Sequence, residues 1–363
     1  MNKACDFLVG RGDLHRVAWQ DAPAPATVEL APGQVLLAVD SFAMTANNVT
    51  YAVFGDAMRY WEFYPAPEGW GRVPVWGFAV VERSAHPGVK PGERVFGYLP
   101  MSTHFVVQAD QVTPSGFVEV AAHRRDLAAI YNQYQRTAAD PGYDPKREAE
   151  QMLLRVLFLT GWLIDDFLGD NGLFGARSVL VASASSKTSI GLAASLSLRG
   201  RDAVEVVGLT SKGNLAFVGA MDCYHRAVAY DDIRSLPTTT PTVFVDMAGD
   251  GNVTRAVHEH FGDNLKYSCA VGGTHWTNTA FGQQFPGPTP TLFFAPSQVE
   301  KRMADWGPAG LQQRMGDAWK AFLPRVDGWI TVERAKGREA IEKAWLDALD
   351  GRADPRKGYV LSF

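Results

Sequence analysis

The stretch Ser178-Val-Leu-Val-Ala-Ser-Ala-Ser-Ser-Lys-Thr-Ser-Ile-Gly191 decides how the rest of the sequence is read. Its first five residues are a short apolar run with the character of a strand buried on both faces. Hydroxyl residues follow, and then small residues at helical spacing from Ser189 to Leu198. A strand that feeds directly into a helix points free backbone N–H groups and the positive end of the helix dipole at whatever lies above the turn, commonly a phosphate. The other reading is a serine-rich helix cap with no ligand.

Working outward, the same alternation repeats. Ala203–Leu209 reads as a second strand, Asn214–Met221 as a helix and Arg226–Tyr230 as a third strand. Thr242–Met247, Val253–His260 and Leu265–Val271 continue as strand, helix and strand. Such alternation predicts a doubly wound parallel sheet of the Rossmann type. Upstream, Val35–Val39, Val73–Arg83, Arg94–Tyr98 and His104–Val107 are short apolar runs divided by Pro-Gly turns, which predict an irregular antiparallel β-barrel. The segment His123–Leu168 is expected to be helical, broken near Asp140–Pro145. In the tail, Ser297 and Glu300 stand at capping-box spacing, Trp319–Leu323 and Arg338–Leu349 read as helical, and Gly358–Phe363 as a closing strand. The expected organisation is α/β, with a barrel domain from 1–150 and 285–363 and a cofactor domain from 151–284.

Composition narrows the function. The 363 residues are 46% hydrophobic and 20% charged, so a substantial core is expected and wholesale disorder is not. A net charge of −4 argues against a general nucleic-acid binder, which needs concentrated positive charge. Three widely spaced cysteines, without a CxxC, support neither a disulfide framework nor a zinc cluster. The residues from Met1 to Arg11 lack the apolar run of a signal peptide, and no stretch is apolar enough to span a membrane. A cytoplasmic protein with a small-molecule partner is expected.

The strand-to-helix turns carry the chemistry. Ser185, Ser186, Lys187 and Thr188 would supply hydroxyl, amide and ammonium donors to a dinucleotide phosphate, and Gly191 would permit close packing of helix on strand. The pattern GxGxxG itself is missing, and GxxxxGK[ST] fails as well. At the second strand tip an NAD site wants an acid for the ribose hydroxyls. Thr210, Ser211 and Lys212 stand there instead, which suits the 2′-phosphate of NADP(H), the bland reading being a solvated turn. Asp246, Met247 and Ala248 end the fourth strand, and Gly272 and Gly273 end the fifth; both tips are expected to flank the nicotinamide. His275 is an acid–base candidate or a turn histidine.

These residues, with others upstream, resemble the medium-chain dehydrogenase/reductase superfamily, specifically its zinc-free, quinone-reductase-like and enoyl-reductase-like members. Pro32-Gly-Gln-Val-Leu-Leu-Ala-Val39, Thr45-Ala-Asn-Asn-Val49, Gly88-Val-Lys-Pro-Gly-Glu-Arg-Val95 and Arg177-Ser-Val-Leu-Val181 carry the resemblance, and Thr210-Ser-Lys212 matches the segment that selects NADP in those enzymes. Ala46–Gly55, Val75-Trp-Gly-Phe78 and Thr274-His-Trp276 are similar to a bacterial and fungal family known only as a domain of unknown function. The resemblance implies a GroES-like barrel for catalysis, a Rossmann domain for NADP(H), and a homodimer. The zinc-ligand stretches of the alcohol dehydrogenases correspond to Met44–Asn47 and Trp76–Ala79, which hold no Cys, His or Glu, so no metal is expected.

In related enoyl-thioester reductases a tyrosine following the Asn-containing turn holds the substrate oxygen; Tyr51 lies in that segment, with Asn48, Thr50 and Tyr60 as neighbouring donors. A barrel-wall tyrosine is the plain alternative. The aromatic run Phe54, Tyr60, Trp61, Phe63, Tyr64 and Trp70 is either core or an apolar lid for a flat, hydrophobic or aromatic substrate. The expected activity is NADPH-dependent reduction of an activated C=C, a quinone or a conjugated ketone. A zinc-independent carbonyl/alcohol oxidoreductase and a non-catalytic NADPH-binding module are the alternatives.

Overall fold

The computed structural model describes residues 3–140, 142–200, 203–272 and 284–363. The chain divides into two compact units, Met1–Leu153 with Gly328–Phe363, and Leu154–Asp327. The first unit holds β1 (Cys5–Gly10), β2 (Val17–Asp21), β3 (Gln34–Met44), α1 (Ala46–Val53), β4 (Trp70–Gly71), β5 (Pro74–Ser84), β6 (Arg94–Pro100), β7 (His104–Thr113), β8 (Gly116–Glu119), β9 (Gln133–Arg136) and α2 (Glu148–Glu150). The second holds α3 (Val156–Asp170), β10 (Ser178–Val181), α4 (Lys187–Ser197), β11 (Glu205–Thr210), α5 (Leu215–Gly219), β12 (Arg226–Ala229), β13 (Thr242–Asp246), α6 (Gly251–Phe261), β14 (Leu265–Ala270), β15 (Thr291–Leu292) and α7 (Ala295–Phe322). The chain then returns to the first unit with β16 (Thr331–Lys336), α8 (Arg338–Leu349) and β17 (Lys357–Ser362).

The first unit is a closed barrel, the GroES-like architecture. Its strands run β3-β5-β6-β9-β8-β7, and β7 returns to β3. Breaks in register between Leu36 and Leu37, and between Val39 and Ser41, mark bulges in β3. Its first half, Gln34–Ala38, therefore faces β7 while Phe42–Met44 faces β17. One strand thus closes the barrel and receives the C-terminal strand.

The expected helix over His123–Arg147 is not there. Short 3-10 turns and β9 fill that stretch, and α-helix begins only at Glu148, passing through a π turn at Gln151–Arg155 into α3. The segment obeys a strand period: Tyr134 is 1% exposed, whereas its neighbour Gln133 is exposed. Phe117 pairs with Tyr134 and Val95 with Arg136, so β9 completes the barrel. Arg136 fastens it, through Glu93 at 2.7 Å and the Gly88 carbonyl at 2.7 Å. Those partners are distant in sequence, and no local pattern announces them.

In the second unit, all six strands are parallel, in the order β12-β11-β10-β13-β14-β15. That order reverses direction between β10 and β13, the Rossmann arrangement, with its crevice above the carboxyl ends of those two strands. Leu180, Val207, Leu209, Phe244, Val257 and Phe261 form the core on one face. The proline-rich segment before α7 supplies only the two-residue edge strand β15, where a missing N–H costs least.

The second boundary falls at Gly328 and not near 285. The reason is packing: β15 joins the parallel sheet, and α7 packs on α3, where Phe158 and Phe322 stack at 4.4 Å. Arg302, 7% exposed, reaches Asp166 at 2.6 Å and Asp170 at 3.1 Å on α3. Helix α7 opens at Ala295 with Pro296 in its first turn, two residues before the Ser297 of the expected capping box, and breaks at Gly307-Pro308. Among the described residues, no helix is long and apolar enough to cross a membrane.

Gly191 plays a different part from the one expected of it. A Cβ there would meet the Phe158 Cα at 2.8 Å, so it serves a helix–helix crossing, not the strand. Gly161 on α3 is its counterpart: a Cβ there would collide with the backbone N of Leu192 and lie 2.8 Å from the Gly191 carbonyl carbon. Gly161→Ala is therefore expected to destabilise the protein by about 1–3 kcal/mol, seen as a lower Tm in calorimetry. Gly316→Ala on α7, which meets nothing within 4 Å, should be neutral or stabilising by about 0.4–1 kcal/mol.

Candidate active site

The turn after β10 keeps the shape of a dinucleotide loop without its glycines. Ser183 sits at φ +50°, the left-handed region that the first fingerprint glycine would relieve. Partners hold it there: its N–H donates to Tyr230 Oη at 3.1 Å, and its carbonyl accepts the Ser186 N–H at 2.7 Å. Ser186 caps α4, accepting the Ser189 N–H at 3.2 Å. Its hydroxyl donates to Ser189 Oγ at 2.8 Å, and Ser189 donates to the Ala182 carbonyl at 3.0 Å. Ser186 is thus engaged in building the turn. Half-buried Ser185, Lys187 and Thr188 lie on this turn, at the end of α4 where the helix dipole is positive.

The neighbouring tips are tied to this turn. Asn214 Nδ2 donates to Ser185 Oγ at 3.2 Å, and the buried Tyr224 hydroxyl donates to the Ala184 carbonyl at 2.9 Å. Thr210 is buried, leaving Ser211 and Lys212 exposed at the tip of β11. The sequence places no carboxylate on that tip, but the fold brings one to it: Asp231 Oδ2 lies 2.8 Å from Lys212 Nζ. Asp231 draws the lysine pKa upward through this hydrogen bond.

Asp246 at the end of β13 is a turn organiser. Its Oδ1 accepts the N–H groups of Ala248 at 3.0 Å and Gly249 at 2.9 Å, and its Oδ2 accepts the Thr254 hydroxyl at 2.8 Å. Burial raises its pKa in spite of these donors. Met247 and Ala248 are buried within the same turn. A Cβ at Gly272 would strike the Met247 carbonyl, so that glycine lets the ends of β13 and β14 close on each other. Gly273 and His275 lie outside the described residues.

In the barrel unit, Tyr51 lies on α1 and is 4% exposed. Trp76 Nε1 donates to its hydroxyl at 3.0 Å. Its ring packs against Tyr60 at 4.8 Å and Tyr98 at 5.3 Å, and Tyr98 against Tyr131 at 4.6 Å. The hydroxyls of Tyr60 and Tyr131 lie 3.4 Å apart. Burial, and secondarily Tyr60, drives the Tyr51 pKa far above the usual phenol range, so it stays protonated and able to donate. Asn48 is a structural residue: its Oδ1 accepts the Thr45 N–H at 2.8 Å, and its Nδ2 donates to the Pro74 carbonyl at 2.9 Å, fixing the start of α1. Thr50 is half-buried beside Tyr51. Of the two readings of the aromatic run, core holds for most of it, since Tyr60, Trp61, Phe63 and Tyr64 are all buried.

Ser183, Asn214, Tyr230 and Asp231 were not singled out from the sequence, nor were Tyr98 and Tyr131. The Tyr230-Asp-Asp232 triplet at the close of the third strand was the available signal for two of them. Among the described residues, no group of three His, Cys, Asp or Glu is placed to hold a metal ion.

A family model described as "Protein of unknown function (DUF2855)" matches residues 42–354. The chain belongs to that family. No curated protein matches the sequence. Among solved structures, CurA from Vibrio vulnificus is similar with a TM-score of 0.62 at 12% identity, covering 99% of this chain and 98% of that one. The same protein in complex with NADPH gives 0.61 at 13% identity, with coverage of 99% and 98%. A mutant form of enoyl thioester reductase from Candida tropicalis gives 0.56 at 11% identity, with full coverage of both chains (100% and 100%). This chain's barrel and parallel sheet thus share the fold of those structures, that of the medium-chain dehydrogenases/reductases.

The Asp246 turn gives a direct test. Asp246→Ala leaves two buried N–H groups without an acceptor and should cost about 2–4 kcal/mol in denaturant unfolding. Asp246→Asn, whose amide oxygen can still accept both, should cost well under half of that. Because the folded pKa is raised, the wild type is favoured below the unfolded value of about 3.9 and loses that contribution as pH rises through the folded value. The Asn variant should lack this dependence.

Proposed function

We propose that this protein is an NADPH-dependent reductase of an activated C=C bond, a quinone or a conjugated ketone, acting without the zinc ligands of the alcohol dehydrogenases. One observation carries the reading: a six-stranded parallel sheet in Rossmann order with a hydroxyl- and lysine-bearing turn on the strand beside the point where its order reverses. The donor set suits a nucleotide. Ser185, Lys187, Thr188 and the first turn of α4 would take the pyrophosphate, and Ser211 with Lys212 the adenosine ribose and its 2′-phosphate. Met247, Ala248, Gly272 and Gly273 would flank the ring. When bound, the dihydronicotinamide supplies a hydride. The NADPH complex of CurA and the enoyl thioester reductase named above support this assignment.

The chain's own contribution is to hold charge. As hydride reaches an electron-poor carbon, negative charge builds on the conjugated oxygen and needs a donor. Tyr51 is that donor in our reading, kept neutral by burial and oriented by Trp76, with Tyr60 and Thr50 beside it. His275 is the second candidate for proton delivery. The substrate is a small molecule, a hydrophobic or aromatic one, and the active form is a cytoplasmic homodimer.

Purified protein should consume NADPH, read as loss of the reduced-nicotinamide absorbance, with at least one member of a panel of enones and quinones. Tyr51→Phe should lower kcat by about 100-fold or more while leaving the NADPH Kd unchanged. Tyr51 should add no inflection to the rate profile between about pH 5 and 9, because its raised pKa lies outside that window. Failure to bind NADPH or NADP⁺ at millimolar concentration overturns the reading.

A further inference from the structure

Lys212 does not stand alone above β11. Its ammonium is 2.8 Å from Asp231, and the two side chains are 70% and 71% exposed. Exposed Asp232 follows, and its charge also acts on the lysine. Both acids open the 3-10 turn Tyr230–Ser235 directly after β12. That turn is fixed to the phosphate-type loop through Tyr230 and Ser183, as Asn214 fixes the β11 tip through Ser185. Three strand tips therefore form one hydrogen-bonded platform, and Lys212, Asp231 and Asp232 are exposed on its β11–β12 side.

We infer that Asp231 sets the choice between NADPH and NADH by competing for Lys212; this rests on the nucleotide reading above. A 2′-phosphate carries close to two negative charges and must draw Lys212 away from Asp231. It then remains beside two carboxylates. A 2′-hydroxyl asks for neither change: it can donate to Asp231 while the ion pair stays intact. A solvated ion pair is weakly held, so Lys212 can exchange partners, yet charges closer than a Debye length of about 10 Å still repel. Asp231 thus restrains a preference for NADPH that Lys212 would otherwise make stronger.

The test is a set of equilibrium dissociation constants for NADPH and NADH, with 2′,5′-ADP and 5′-AMP as adenine-side probes, by calorimetry on the full chain. Asp231→Asn should tighten NADPH and 2′,5′-ADP by about 3–10-fold, and leave NADH and 5′-AMP unchanged or weaker by at most about threefold. The gain should shrink at about 0.5 M salt, which a purely structural effect would not do. Lys212→Met should weaken NADPH by about tenfold and, when the two are combined, shrink the Asp231→Asn gain to the part owed to direct repulsion of the phosphate. If the wild type binds both nucleotides and Asp231→Asn leaves their affinity ratio within twofold at low salt, the inference is overturned and the reductase reading stands. If the wild type binds neither nucleotide nor either probe, both are overturned.

Discussion

A left-handed serine is the constraint on which the second unit's candidate site depends. Ser183 has to reverse the chain between β10 and α4 in a conformation that a side chain resists. Glycine would adopt it freely. Here the neighbours impose it, through the Tyr230 hydroxyl, the Ser186 amide and the chain of serine hydroxyls that ends on the Ala182 carbonyl. The start of α4 and the Ser185–Asn214 bridge to β11 lie on that turn, and the Tyr230 hydroxyl ties it to the segment that carries the β12 acids.

The parallel sheet was legible because its central strands β10 and β13 are buried on both faces and carry uninterrupted apolar runs, Val179–Val181 and Val243–Val245. Barrel strands before His104–Val107 were legible from Pro-Gly punctuation. The strand β9 was not, because its identity comes from pairing with β6 and β8, and its one buried tyrosine, Tyr134, reads equally well on a helix. Helix α7 was misplaced at its start for a related reason. A proline at the first turn served where a hydroxyl cap was expected.

Site residues divide along the same line. Those that follow their own strand, such as Thr210, Lys212 and Asp246, could be placed from order alone. Their partners could not. Asp231 lies 19 positions beyond Lys212, and only the parallel pairing of β11 with β12 brings the tips together. The roles of Asn48 and Asp246 also changed, from candidate chemistry to backbone support, because hydrogen-bond partners decide such roles and sequence does not display them.

Substituting hydroxyls for glycines has a further effect on how the sheet's upper rim breathes. A glycine turn can loosen by itself, since its shape is intrinsic to its own residues. This one is held from β12 and β11, so the three loops share one opening event and should exchange their amide hydrogens at a common rate. Two hydrogen bonds thereby tie the stability of the β10 turn to that of its two neighbours.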